Sequence, residues 1–275
     1  MMPSVACRLP PVSCIRVFWC IGVKIAVHLK VLNSFVSVQS EAKIGKQGRM
    51  LRGFFEAVTK EIFQVGGGSL TSAEDAAVYL VKDEECSALV DAGCGHAADK
   101  LFGNLSACGV YPQNIEYLLI THCHYDHVGG AQEIKDRTAC RIVAHELDAP
   151  FLEQGDNMVT AAKWYGASLK PFQVDVKLAG KKNQITLGAK SIEALHVPGH
   201  SPGSLVYVME SEGKRVLFGQ DVHGPLDASL LSNLEDYLES LKFLRSLEAD
   251  ILCEGHYGVI RGKAEVADFI RSFLR

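Results

Sequence analysis

A long apolar run, a CxxC pair and an excess of positive charge are all missing from this 275-residue chain. An N-terminal apolar stretch, Val17 to Val23, is seven residues long before Lys24 interrupts it. A membrane-spanning helix needs about 18 residues or more, so no membrane association is expected. The nine cysteines are odd in number and include no CxxC pair. This argues against a disulfide framework and points to a reducing, cytoplasmic setting. Lys and Arg total 28 against 32 Asp and Glu, for a net charge of −4. A mildly acidic chain has no general attraction for phosphate backbones, and no nucleic-acid partner is expected. Hydrophobic residues make up 48% and charged residues 22%, which excludes a disordered or collagen-like chain. A chain of this length buries a full core without covalent staples.

Residues 1–49 read differently from the rest. They hold three cysteines, three prolines and a single acidic residue, Glu41. Arg8 precedes an apolar region, as in a signal peptide, but Arg16, Lys24 and Lys30 interrupt that region. The reading favoured is a poorly ordered extension, or a start placed too early, with Met50 opening a segment that makes sense by itself. One domain is therefore expected over residues 50–275.

From about Glu61 onward, apolar runs alternate with turn signals. Strands are expected at Ile62–Val65, Ala77–Val81 and Ala88–Val90, the last two joined by the polar turn Lys82–Glu85. Residues 97–108 read as a helix. Ile115–Ile120 is an apolar run broken only by Glu116, as a buried strand shows. Gly129 and Gly130 open a helix to Asp136, and Arg141–Ala144 is the next strand. Residues 146–170 read as an irregular insertion or lid. Five successive strands are expected at Phe172–Leu178, Gln184–Leu187, Ser191–Val197, Ser204–Met209 and Arg215–Phe218. In the next helix, Leu234, Tyr237, Leu238, Leu241, Leu244 and Leu247 repeat at helical spacing, and Ser232 with Glu235 forms a capping-box signature. Ile251-Leu252 is a short strand. A last helix carries Val266, Phe269, Ile270 and Phe273 on one face. Two packed sheets with helices outside would bury all these faces.

The informative segment is Thr121-His122-Cys123-His124-Tyr125-Asp126-His127-Val128-Gly129-Gly130. Three histidines and one aspartate fall within six residues, directly after an expected buried strand. Residues two apart on an extended segment face the same side, so His122 and His124 reach one point. Asp126 and His127 lie where the chain turns into the next helix and face a neighbouring point. Imidazole nitrogens and carboxylate oxygens are natural zinc ligands, and also suit iron and manganese. By alternation, the Cys123 thiol points away from that site and packs. Of the remaining histidines, His28 falls in the extension, His96 and His145 read as surface or loop residues, and His196 is a candidate to orient a ligand.

This segment resembles the HxHxDH motif of the metallo-β-lactamase superfamily. Val197-Pro198-Gly199-His200-Ser201-Pro202-Gly203 resembles that family's third histidine motif. Phe218-Gly219-Gln220-Asp221 resembles its bridging-aspartate motif, and Glu254-Gly255-His256 its last histidine motif. All four stand in the family's order, over roughly residues 60–260. The resemblance implies an α+β fold, a four-layer αββα sandwich of two mixed β-sheets flanked by helices. It also implies that His122, His124 and His200 hold one metal, that Asp126, His127 and His256 hold a second, and that Asp221 bridges the two. The cofactors expected are two divalent metal ions, zinc first, with iron or manganese as alternatives.

The reaction expected is hydrolysis of an ester, thioester or lactone of a small molecule by a metal-bridging hydroxide. Asp126 is the residue expected to orient that nucleophile and move its proton. His223, Tyr125 and Tyr257 are candidates to touch substrate, and Met158, Trp164 and Tyr165 to wall the pocket. The β-lactamases of the family usually place Cys or Ser where this chain has Asp221, which argues against antibiotic hydrolysis. The ligand set is similar to that of glyoxalase II and the acyl-homoserine lactonases. Nineteen residues follow His256, short of glyoxalase II's C-terminal helical region, so a glutathione thioester is not the expected substrate. The alternatives are a persulfide dioxygenase using one iron, and a metal-dependent phosphodiesterase or nuclease. A non-enzymatic protein on this fold would usually have lost ligands. Oligomeric state has no signature.

Overall fold

The computed structural model describes residues 54–274, and the expectations for residues 1–49, including His28 and the start at Met50, lie outside the described residues. Seven strands form one sheet: β1 (Glu56–Ala57), β2 (Ile62–Gly66), β3 (Val78–Lys82), β4 (Ser87–Val90), β5 (Ile115–Leu119), β6 (Arg141–His145) and β7 (Val176–Leu178). They lie side by side in chain order. Six more form a second sheet: β8 (Lys182–Leu187), β9 (Lys190–His196), β10 (Leu205–Ser211), β11 (Lys214–Gln220), β12 (Ile251–Glu254) and β13 (Gly258–Arg261). Both sheets are mixed. The β4–β5, β5–β6, β6–β7 and β11–β12 pairs are parallel, and the others are antiparallel. Six helices complete the frame: α1 (Ala98–Ala107), α2 (Tyr125–Val128), α3 (Ala131–Thr138), α4 (Ala149–Gln154), α5 (Leu234–Ser246) and α6 (Lys263–Ser272).

The apolar runs that lack alternation are the strands buried on both faces. In β3, Val78 and Leu80 pack outward with Leu101 and Leu105 of α1, while Tyr79 and Val81 enter the layer between the sheets. In β10, Tyr207 and Met209 enter that same layer, while Val206 and Val208 pack outward with Leu241 of α5 and Ile270 of α6. Three apolar layers therefore separate four layers of secondary structure, as expected for an αββα sandwich. The two buried tyrosines keep their hydroxyls satisfied. Tyr79 donates to the Glu254 carbonyl at 2.9 Å and Tyr207 to the Ile120 carbonyl at 2.8 Å, so each contributes apolar area without an orphaned polar tip.

Several expectations are corrected. The run Phe172–Leu178 is a strand only over Val176–Leu178, because Phe172 and Val174 instead plug the outer apolar layer. β1 and β13 were not expected; their short, half-buried pattern carries little signal. The cap of α5 is Asn233, whose side chain accepts from Asp236 N at 3.1 Å, and not Ser232 with Glu235. Ser232 Oγ donates instead to the His200 carbonyl at 2.8 Å. Residues 146–170 contain α4 and a single 3-10 turn, Ala162–Tyr165, within irregular chain, as expected. Gly129 and Gly130 have ordinary negative φ. They are required for close approach: a Cβ at Gly129 would lie 2.5 Å from the Cys94 carbonyl oxygen.

Strand direction explains where chemistry collects. β4 runs parallel to β5, and β11 parallel to β12. Asp91, His122 with His124, Asp221 and His256 each follow one of these strands at its carboxyl end, where side chains escape the ladder and loops are free to present them.

Candidate metal centre

Four motifs distant in sequence meet at that edge. The ligand atoms of His122, His124, His200 and Asp221 all lie within 4.8 Å of one another, and so do those of Asp126, His127 and His256. The rings of His122, His124 and His200 form a tripod with centroids 4.5 to 4.6 Å apart. Asp221 stands between the two groups. Its Oδ2 is 3.3 Å from His200 Nε2 and 3.8 Å from His122 Nε2, and its Oδ1 is 3.1 Å from His127 Nε2 and 3.4 Å from His256 Nε2. Asp126 Oδ2 is 3.2 Å from His256 Nε2 and 3.6 Å from His127 Nε2. All seven residues expected from sequence are thus brought together.

The surrounding hydrogen bonds set the tautomers. His127 Nδ1 is 2.6 Å from Asp91 Oδ2, and a carboxylate only accepts, so this nitrogen carries the proton. Thr121 Oγ1 donates to the same Asp91 oxygen at 2.6 Å, which leaves it to accept from His122 Nδ1 at 3.1 Å. His200 Nδ1 donates to the Pro225 carbonyl at 2.9 Å. In neutral His122 and His200, the Nε2 atoms therefore present lone pairs, and these two atoms are 3.2 Å apart. Two facing lone pairs repel unless a cation lies between them. His124 Nε2, His127 Nε2 and Asp221 Oδ1 are buried without a hydrogen-bond partner, which buried polar atoms otherwise rarely are. The donor set and its unsatisfied atoms fit divalent metal ions.

The titration shifts divide the same way. Burial, then the neighbouring imidazoles, hold His122 well below its usual range. Burial, with His200 beside it, pulls His124 down to about 3. Burial also pulls on His127, but Asp221, Asp126 and Asp91 outweigh it and hold this histidine well above 6.5. Burial likewise opposes the proton on His256, yet Asp126 and Asp221 raise it to about 10. Without a metal, the two carboxylates keep protons on the second histidine group for want of another positive charge.

Three buried carboxylates were not singled out from sequence. Asp91 also accepts from Gln220 Nε2 at 2.6 Å and from Thr121 N at 2.8 Å. Its backbone is left-handed, with φ 62°. Asp148 accepts from Cys123 N, Ser201 Oγ and Gly203 N at 3.0, 2.7 and 2.7 Å. Glu254 Oε2 accepts from His256 N at 2.7 Å, and its Oε1 from His223 Nδ1 at 2.7 Å. Nothing in their local sequence distinguishes them from surface acids.

His223 packs against His256 at 5.1 Å and Tyr257 at 5.2 Å between ring centroids. Its ligand atom also lies within 4.8 Å of those of Asp221 and His256. Tyr257 is 61% exposed beside it. Tyr125 is buried, and its hydroxyl lies 3.4 Å from His96 Nε2. Burial, then Asp126, pushes the Tyr165 hydroxyl upward, and Tyr165 packs on Tyr125 at 5.6 Å. Cys123 is fully buried in the outer apolar layer. His145, expected as a surface or loop residue, is the buried last residue of β6 and stacks on His196 at 3.9 Å, while His196 Nε2 donates to the Pro202 carbonyl at 2.9 Å. No G-x-S-x-G elbow is expected from sequence, and this is corrected: Gly199-His200-Ser201-Pro202-Gly203 has that spacing. Ser201 is fully buried with its hydroxyl held by Asp148, so it offers no nucleophile.

The profile of the metallo-beta-lactamase superfamily matches residues 72–256. The chain is 27% identical over 228 residues to acyl-coenzyme A thioesterase MBLAC2 of Gallus gallus, covering 72% of this chain and 78% of that protein. It is 30% identical over 154 residues to hydroxyacylglutathione hydrolase GloC of Haemophilus influenzae, covering 56% and 68% respectively. Other curated relatives are spanned over only 60% and 62% of their length. A solved metallo-β-lactamase of Cronobacter sakazakii superposes with a TM-score of 0.67 at 22% identity, covering 79% of this chain and 90% of that one, which shows the shared fold. The chain belongs to the metallo-β-lactamase superfamily. Among the described residues, no helix is long and apolar enough to cross a membrane.

Proposed function

We propose that this chain hydrolyses a small-molecule thioester, ester or lactone with the help of two divalent metal ions, most simply zinc. The observation that carries the reading is Asp221, whose two oxygens face different histidine groups. His122, His124 and His200 would hold one ion, and Asp126, His127 and His256 the other, with Asp221 shared. Two such ions supply a polarised acyl carbonyl and a hydroxide available at neutral pH. Asp126 sits beside His256 at 3.2 Å and next to Tyr165, where its carboxylate orients the attacking water and accepts its proton. His256, exposed where the other six ligands are buried, marks the side from which substrate enters. His223 and Tyr257 pack beside His256 at that entrance and Tyr165 lies near Asp126, whereas the Tyr125 hydroxyl is engaged with His96.

The relatives named as thioesterase and hydroxyacylglutathione hydrolase favour a thioester among the three acyl classes. Six free cysteines among the described residues support a reducing compartment. Elemental analysis of the purified chain tests the reading. About two zinc ions per chain, with turnover of acyl thioesters, is the expected result. About one iron, with oxygen uptake on a persulfide, would replace it with the dioxygenase alternative.

A further inference from the structure

Asp148 is a buried carboxylate outside the ligand set, at the start of α4. Its three partners come from two separate segments. Cys123 N lies between His122 and His124 in sequence, and donates to Oδ2 at 3.0 Å. Ser201 Oγ, next to His200, donates to the same oxygen at 2.7 Å, and Gly203 N donates to Oδ1 at 2.7 Å. The contact is tight enough to dictate sequence, since a Cβ at Gly203 would lie 2.7 Å from Oδ1 and Cγ of Asp148. The corner bearing Asp148 is itself anchored. Asp148 N donates to the His145 carbonyl at 3.1 Å, and His145 stacks on His196, which donates to Pro202 in the same loop. Every segment that Asp148 grips carries a member of the His122, His124 and His200 tripod. Asp126 and His127 follow Cys123 by three and four residues, beyond the peptide that is held, and the His256 segment makes no bond to Asp148. Asp91 instead touches both groups: it holds His127 and Gln220 beside Asp221, and also Thr121, whose hydroxyl accepts from His122 Nδ1.

We propose that Asp148 is a positioning residue for the first metal subsite, locking the His122–His124 segment and the His200 loop at one separation. The proposal rests on the two-metal reading above. An acceptor-only group suits the role, because all three partners are donors. In Asp148→Asn, the amide NH2 must face one of those donors, and the clamp opens on that side.

The test is equilibrium zinc competition with a chromophoric chelator on the full chain, which yields two dissociation constants. Asp148→Asn is expected to weaken one constant by about 10- to 100-fold, the usual effect of losing an outer support of a metal ligand, and to leave the other within about twofold. Ser201→Ala, which removes one donor and keeps the carboxylate, is expected to weaken that same constant by about threefold to tenfold. This variant decides the matter if Asp148→Asn does not fold. The melting temperature of the metal-free protein is recorded alongside. Equal weakening of both constants, or a lower melting temperature with neither constant changed, would show a merely structural role and overturn the proposal. A wild-type chain that binds two zinc ions keeps the functional reading whichever way the variants fall, and one that binds none removes both.

Discussion

His127 Nδ1 donates to Asp91 Oδ2 across 2.6 Å, and solvent reaches neither side chain. The bond fixes the imidazole with Nε2 toward Asp221 and adds electron density to that nitrogen. Asp91→Ala would leave His127, Thr121 and Gln220 with unmatched buried donors. The expected cost is about 3–5 kcal/mol of stability, with metal affinity at the second group lower by about 10- to 100-fold. Chemical denaturation and zinc competition measure the two effects separately; unchanged stability would show that water enters and replaces the carboxylate.

His122→Ala is expected to abolish metal binding by the tripod and to reduce turnover by more than about 100-fold, the upper range for outer supports, since a ligand itself is removed. Full activity in this variant would refute the assigned centre.

Metal entry should depend on pH differently at the two groups. His122 and His124 are held low, the latter to about 3, and carry no proton to displace at neutral pH. His256, raised to about 10, and His127, also raised, hold protons in the metal-free chain. Affinity at the second group should rise with pH up to about 10, by as much as roughly tenfold per unit for each proton displaced. Calorimetric titration in buffers of different ionisation enthalpy counts those protons, and equal release from both groups would contradict the assignment. The metal-free chain follows the same sign. A histidine raised from 6.5 to about 10 stabilises fully below 6.5, and that contribution fades as pH climbs toward 10.

Gly129→Ala should cost about 1–3 kcal/mol as overpacking, because the new methyl would meet the Cys94 carbonyl oxygen at 2.5 Å. Backbone lies on both sides of the clash, so relief must move the turn that carries Asp126 and His127. Thermal melting detects the loss. A melting temperature equal to wild type would mean that the two loops separate freely.

Tyr165→Phe removes a hydroxyl whose titration Asp126 raises, and kcat should fall about tenfold with metal content unchanged if that hydroxyl bonds the carboxylate during turnover. Trp164→Ala, at a side chain 53% exposed, should raise KM and leave kcat nearly unaltered. The reverse pattern in this pair would exchange their roles.

The sequence by itself determined the ligand types and the frame that carries them. His122, His124, Asp126 and His127 stand at one strand end, and local alternation and the following turn already aim them together. The apolar runs of β3, β5, β10 and β11 were legible because burial on both faces leaves no polar alternation to confuse them. What only the tertiary structure decided is long-range and polar. Asp91, Asp148 and Glu254 look like any acidic residue in the chain, and become supports only where strand ends and loops converge to supply their donors. The same holds for Ser232, whose capping signature gave way to a bond to the His200 carbonyl, and for His145, buried by its stack on His196. Apolar periodicity is written into neighbouring residues, whereas the partners of a buried carboxylate are chosen by the packing of elements far apart in the chain.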